Sequence, residues 1–128
     1  MRKNISSNSP YESIVGYSRA VKIGNIIEVS GTVASDGSKV VGKDNEYEQT
    51  KFIIKKIETA LVDAGASLMD VVRTRIYVKN ISNWEAVAKA HREIFYDIKP
   101  ASTMVEVNRL ISDDFLVEIE ATAILDNV

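Results

Sequence analysis

The sequence contains no cysteine. That absence excludes disulfide bonds, thiolate catalysis and cysteine-ligated metals together. There is one histidine, His91, so a histidine-built metal centre is not expected, and a hard-cation site would need carboxylates clustered in a loop. The nearest such pair, Asp113 and Asp114, reads as a turn. No apolar run approaches the ~20 residues of a membrane span. Residues 1–10 are polar, with no apolar segment behind Arg2 and Lys3, so no secretory signal is expected and the chain reads as cytoplasmic, with no membrane partner. Excess positive charge is missing too: 16 Lys and Arg stand against 18 Asp and Glu, a net charge of −2. A nucleic-acid partner needs a concentrated basic surface, so none is expected. Repeats, low-complexity tracts and Pro/Gly linkers are absent.

What remains is ordinary globular material, 45% hydrophobic and 27% charged, and residues 1–128 are expected to form a single domain. Residues 18–22, Gly24 and Asn25, then residues 26–31 read as a β-hairpin. Gly37 and Gly42 mark a loop. Residues 44–64 predict a helix, with Phe52, Ile53, Ile57, Ala60, Leu61 and Ala64 on its buried face and Gly65 ending it. Ser67 to Asp70 read as a short capped turn. Residues 71–79 alternate, with Val72, Thr74, Ile76 and Val78 on one face and Arg73, Arg75, Tyr77 and Lys79 on the other. A second helix covers residues 82–97, capped by Ser82 or Asn83, with an apolar stripe of Trp84, Val87, Ala88, His91, Ile94 and Phe95. Pro100 stops it. Strands over residues 101–110 and 115–125 follow, joined by a turn at Ser112 to Asp114. The order ββαβαββ predicts a two-layer α+β domain, with an antiparallel or mixed sheet and two helices on one face.

Alternation places Glu118, Glu120 and Thr122 on one face of the last strand, and Ser102, Met104, Glu106 and Asn108 on one face of the strand before it. Read as neighbours, these strands either line a polar cleft or present a solvated face. Arg73, Arg75 and Arg109 either pair with the glutamates across strands or hold the carboxylate of an anionic substrate. His91, on an apolar stripe, is either a packed residue or an acid–base group. Tyr17, Ser18 and Ser30 flank the hairpin with no base close in sequence, and no Ser-His-Asp arrangement is present. Met104, Leu110, Leu116 and Ile124 put apolar side chains on both faces of the last strands, which suggests a buried subunit interface.

Gly16, Tyr17, Ser18, Arg19, Ala20 and Val21, then Gly24, Asn25, Val29, Ser30 and Gly31, resemble the opening hairpin of the YjgF/Rid (reactive intermediate deaminase) family. Ala64 to Val72 resemble its helix-to-strand turn, and Tyr77 to Ile81 with Trp84 the start of its second helix. Pro100 and Ala101, Val105 to Leu110 and Val117 to Ala121 resemble its last two strands. The likeness runs over residues 10–125. It implies a chorismate-mutase-like fold assembled as a homotrimer, with small-molecule clefts between neighbouring subunits. It also implies hydrolysis of imine and enamine intermediates to 2-keto acids and ammonia, without metal or organic cofactor. Some members carry the label endoribonuclease or translation inhibitor, which the acidic charge here does not favour.

Carried over by position, the resemblance makes Tyr17, Ser30 and Gly31 cleft residues, and Glu118 the group that orients the hydrolytic water. Glu106 and Arg109 come over as structural residues. The active deaminases read Pro-Ala-Arg-Ser where this chain has Pro100, Ala101, Ser102 and Thr103, so Ser102 replaces the arginine that holds a substrate carboxylate. Met104 stands where a cysteine is common, Ala88 where an asparagine is common and His91 where an aromatic residue is common. Losing a charge-assisted hydrogen bond of about 1.5–3 kcal/mol weakens binding of a 2-imino acid roughly 10- to 150-fold. Two readings stay open: a hydrolase for an imine or related carbon–nitrogen bond, with His91, Arg73 or Arg75 supplying the missing cation, and a non-catalytic trimeric metabolite-binding or regulatory protein. Ribonuclease activity is the third.

Overall fold

The computed structural model describes residues 1–126; the last two residues of the expected 1–128 domain lie outside the described residues. The elements run β1 (Arg2–Ile5), α1 (Pro10–Val15), β2 (Ala20–Ile23), β3 (Ile26–Val33), β4 (Ser35–Asp36), β5 (Lys39–Val40), α2 (Glu46–Asp63), β6 (Val71–Val78), α3 (Trp84–Phe95), β7 (Ala101–Glu106) and β8 (Val117–Ile124). Six strands form one sheet in the order β1-β2-β3-β8-β6-β7, and β4 with β5 make a separate ribbon. Every pairing in the sheet is antiparallel except β6 with β7, where α3 provides the crossover that parallel strands need. The expected α+β class, mixed sheet and pair of long helices are all present.

The helices and the inward side chains of the sheet enclose the core. Ile53, Ile57 and Leu61 of α2 and Val87 and Phe95 of α3 pack with Ile27, Val29, Ile76, Val78, Val117 and Ile119. The local signals explain the helix ends. Asn45 caps α2 by accepting from the Glu48 N–H at 3.0 Å, and Gly65, at φ 86°, turns the chain out of the helix. Ser67 and Asp70 close a reciprocal capping box around the short turn before β6.

Several expectations are corrected. The polar start forms β1 and α1: Arg2 to Ile5 pair with β2, and Pro10 opens a short helix that ends at Gly16, φ 90°. The ribbon occupies the loop around Gly37. A register shift between Val71 and Arg73 turns Val71 inward and leaves Val72 exposed, so the strict alternation begins only after the bulge. Trp84 is half exposed rather than part of the buried stripe. Asn80 caps the turn before α3, while Asn83, at the α3 N-cap, makes no side-chain cap bond and Ser82 caps nothing. Strand β7 ends at Glu106, four residues early. The last two strands are not neighbours either, because β6 lies between them. Met104 and Leu116 pack against the core, so they are not part of any apolar surplus. The apolar side chains left open on the outer sheet face include Ile23, Ile26, Val72, Val105 and Ile124.

Candidate functional site

Strand β3 runs past the end of β2, and the segment Tyr17 to Arg19 lies beside its last residues. Ser30 ties the two together: its N–H donates to the Arg19 carbonyl at 2.9 Å and its hydroxyl to the Ser18 carbonyl at 2.7 Å. On the other side β8 brings Glu118 opposite Val33. Gln49, fully buried in α2, holds the approach to β8. Its amide donates to the Gly42 and Asp114 carbonyls at 3.2 and 2.9 Å and accepts from the Leu116 N–H at 2.9 Å. The result is a cleft of about 150 Å³ walled by Tyr17, Arg19, Gly31, Lys56, Ile111 and Glu118.

Arg19 organises this cleft. Only 6% exposed, it donates from Nη1 to the Gly31 carbonyl at 2.8 Å and to Thr32 Oγ1 at 3.0 Å, and from Nη2 to the Tyr17 hydroxyl at 3.0 Å. Its Nε makes no hydrogen bond but lies 3.5 Å from the carboxylate of Glu12, itself 8% exposed. Burial pushes the Glu12 carboxyl up, and the opposing effects prevail. Hydrogen bonds from the Ser7 hydroxyl and N–H, with the charge of Arg19, hold it below the usual carboxylate range. Because Tyr17 accepts from Arg19, its own proton remains available to a ligand, with no acceptor in reach among the described residues.

Glu118 carries the opposite shift. Burial pushes its carboxyl up, Glu120 on the same face pushes the same way, and Arg19 opposes both less strongly. The carboxylate lies over the Cα of Gly31, in the space a β-carbon there would occupy. Glycine at this position is the condition for Glu118 to sit where it does. The raised value has a consequence for stability. A carboxyl whose folded pKa lies above its ordinary value makes no difference below that range, and opposes folding at pH values above both. Glu118→Gln is therefore expected to raise the thermal midpoint at about pH 7, with the gain vanishing toward about pH 4. An equal midpoint for variant and wild type at neutral pH would contradict it.

The other sequence candidates lie elsewhere. Ser102 and His91 meet around the buried Thr74, whose hydroxyl is 2.8 Å from Ser102 Oγ and 3.0 Å from His91 Nε2. His91 packs on Phe95, ring centroids 4.6 Å apart, and burial lowers its pKa. This group belongs to the helix side of the sheet. Glu118 is on the outer side and two strands away, so one subunit does not bring Ser102, Met104 or His91 to Glu118. Thr103 is on the outer side and accepts from Arg73 at 2.7 Å. Arg75 pairs with Glu120 at 3.7 Å, and Tyr77 donates to the same carboxylate at 3.0 Å. Arg109 meets only Asp113, at 3.9 Å, fully in solvent. Glu106 accepts the Ile81 N–H at 3.0 Å, a structural role. The cations that do face the Glu118 cleft are Arg19 and Lys56. The sequence patterns single out neither: Arg19 appears only within the hairpin motif, and Lys56 belongs to no motif.

A mixed six-stranded sheet backed by two helices, with a half-buried glutamate laid over a glycine and bracketed by an arginine-held tyrosine, defines a YjgF-type domain. The comparisons agree. The family model described as Endoribonuclease L-PSP matches residues 7–125. A RutC family protein of Pyrococcus abyssi is 41% identical over 108 residues, 84% of each chain. The 3-aminoacrylate deaminase RutC of Acinetobacter baylyi is 32% identical over 108 residues, 84% of this chain and 85% of that one. The crystal structure of Rv2704 from Mycobacterium tuberculosis, described as a member of the YjgF/YER057c/UK114 family, superposes with a TM-score of 0.90 at 48% identity, covering 98% of this chain and 100% of that one. The chain belongs to the YjgF/Rid family, the family of L-PSP endoribonucleases and RutC proteins. Among the described residues no helix is long and apolar enough to cross a membrane.

Proposed function

We propose that this protein hydrolyses the carbon–nitrogen double bond of a small imine or enamine-derived substrate, with Glu118 handling the proton. The observation that carries this reading is the Glu118 carboxylate, half-buried, raised in pKa and fixed over Gly31 beside a free tyrosine proton. A carboxylate made more basic by burial is a better acceptor for a proton from water. Water adds to the imine carbon while its proton passes to Glu118. Glu118 returns that proton to the nitrogen of the resulting carbinolamine and then takes the hydroxyl proton as the carbon–nitrogen bond breaks. The products are a carbonyl compound and ammonia, and the last proton leaves with the ammonia as ammonium. Tyr17, its oxygen engaged by Arg19, donates its own hydrogen to a substrate heteroatom. No metal or organic cofactor takes part in this scheme. The name of the Acinetobacter relative, a 3-aminoacrylate deaminase, describes chemistry of this class.

A homotrimer is part of the reading. In that arrangement a neighbouring subunit closes the open side of the Glu118 cleft. The exposed Val105, Ile26 and Ile124 of the outer sheet face are apolar surface suited to a subunit contact. The assay generates several imines in situ with an amino acid oxidase and follows their disappearance. Glu118→Gln is expected to lose hydrolysis about 100-fold or more, the usual contribution of a positioned acid–base group. Unchanged hydrolysis in that variant would sink the proposal. The competing reading, a metabolite-binding protein without chemistry, is favoured by Ser102 standing where the active deaminases have arginine. It predicts saturable binding of a ligand recovered unaltered.

A further inference from the structure

The proposed chemistry leaves open what holds the charged end of the ligand, and the structure offers a cation that no other role uses up. We infer that Lys56 is the residue that holds the carboxylate of the ligand in the Glu118 cleft; the inference rests on the reading that this cleft is the ligand site.

Three cations named as stand-ins for the missing arginine are out of position: Arg73 and Arg75 are committed to Thr103 and Glu120 on the outer face, and His91 is packed on the helix side. Arg19 is in position but spent. Its Nη atoms hold Gly31, Thr32 and Tyr17, and its charge is met by buried Glu12. Lys56 differs on each count. It rises from α2 to line the cleft with Glu118, and its ammonium donates to the Val33 carbonyl at 3.1 Å and the Ser35 carbonyl at 2.9 Å. Val33 is the register partner of Glu118, so these bonds fix the ammonium at the mouth of the same site.

An ammonium carries three donors, and two are accounted for. Among the described residues no carboxylate comes within 4.0 Å of it. A half-buried cation anchored by backbone carbonyls, with one donor free and no counter-charge in contact, favours an anion. Glu118 and Lys56 then divide the substrate between them, the ammonium holding the carboxylate while Glu118 works at the carbon–nitrogen bond.

Pyruvate serves as the carboxylate probe and pyruvamide as its neutral counterpart, titrated into the full-length protein by calorimetry. Wild type is expected to bind pyruvate at least 10-fold more tightly than pyruvamide. Lys56→Met is expected to lose that margin, and Lys56→Arg, which keeps the charge, to retain most of it. Circular dichroism and thermal midpoints show whether Lys56→Met keeps its fold; if it does not, Lys56→Gln and the pyruvate–pyruvamide margin of wild type decide. Equal binding of the two probes by wild type, no saturable binding of pyruvate, or an undiminished margin in a folded neutral variant would each overturn the inference. The two proposals fail separately. Retained hydrolysis in Glu118→Gln with a lost margin in Lys56→Met removes the hydrolase and keeps the anion site. Lost hydrolysis with an intact margin does the reverse.

Discussion

Arg19→Met is expected to cost about 3–5 kcal/mol of stability, the usual result of removing one partner from a buried ion pair. At this chain length the loss corresponds to a fall in thermal midpoint of roughly 10–20 °C. The size follows from what is left behind. Glu12 remains buried with its hydrogen bonds from Ser7 but without the guanidinium 3.5 Å away. The Gly31 carbonyl, Thr32 Oγ1 and the Tyr17 hydroxyl each lose a charged donor. The sign of the pH dependence gives a second check. In wild type the depressed Glu12 pKa contributes stability that is present above the ordinary carboxylate value and is lost as pH falls through the folded value. Without Arg19 that contribution shrinks, so wild type and variant converge on acidification. Adding Glu12→Gln to Arg19→Met removes the stranded charge, and the double variant is expected to be more stable than the sum of the two single losses. A cost for Arg19→Met below about 1 kcal/mol would mean that the pair does not organise the cleft.

That pair also shows where sequence reading stops. Helix α2, helix α3 and strands β6 and β8 are legible because one face of each is buried, and burial writes a period of 3.6 or 2 into the chain. Glu12 and Arg19 carry no such period. Residues 1–10 look like a polar tail, yet β1 pairs with β2 through its backbone, and Ile5 is its one core residue. Short α1 is set by Pro10 and Gly16 rather than by an apolar stripe. The bulge that turns Val72 outward inserts one residue where the alternation gives no warning. Strand order is a different kind of omission. Alternation tells which face a residue takes within its own strand, not which strand lies next, so Ser102 and Glu118 looked like neighbours across a cleft. The crossover through α3 makes β6 and β7 parallel and puts β6 between β7 and β8. Tyr17, Gly31 and Glu118, by contrast, came from the family resemblance and line one cleft. Ser30, carried over with them, does not line it and ties the neighbouring backbone together instead. Lys56 belongs to no motif, and only the path of its side chain off α2 brings it there.

Gly31→Ala is expected to abolish most of the activity while leaving the fold nearly untouched. Gly31 has no positive φ to protect, since the left-handed glycines are others, so alanine fits the backbone. What it does not fit is the Glu118 carboxylate, which occupies the space of the new methyl group, with Glu118 Cδ 3.1 Å and Cγ 3.5 Å from it. The obstructing atoms are the far end of a flexible side chain, so the conflict resolves by displacing the carboxylate and not by moving the sheet. A displacement of about 1 Å at a group that must meet both water and substrate costs on the order of 100-fold in rate. Stability is expected to hold or rise, because the displaced carboxylate regains solvent and loses the burial that raised its pKa. The decisive comparison is the double variant. If the methyl group acts only through Glu118, Gly31→Ala added to Glu118→Gln lowers hydrolysis no further, and the two losses are strongly non-additive. Independent, multiplying losses would mean that Gly31 touches the substrate itself, with the close approach of backbone to ligand as the reason for glycine at this position.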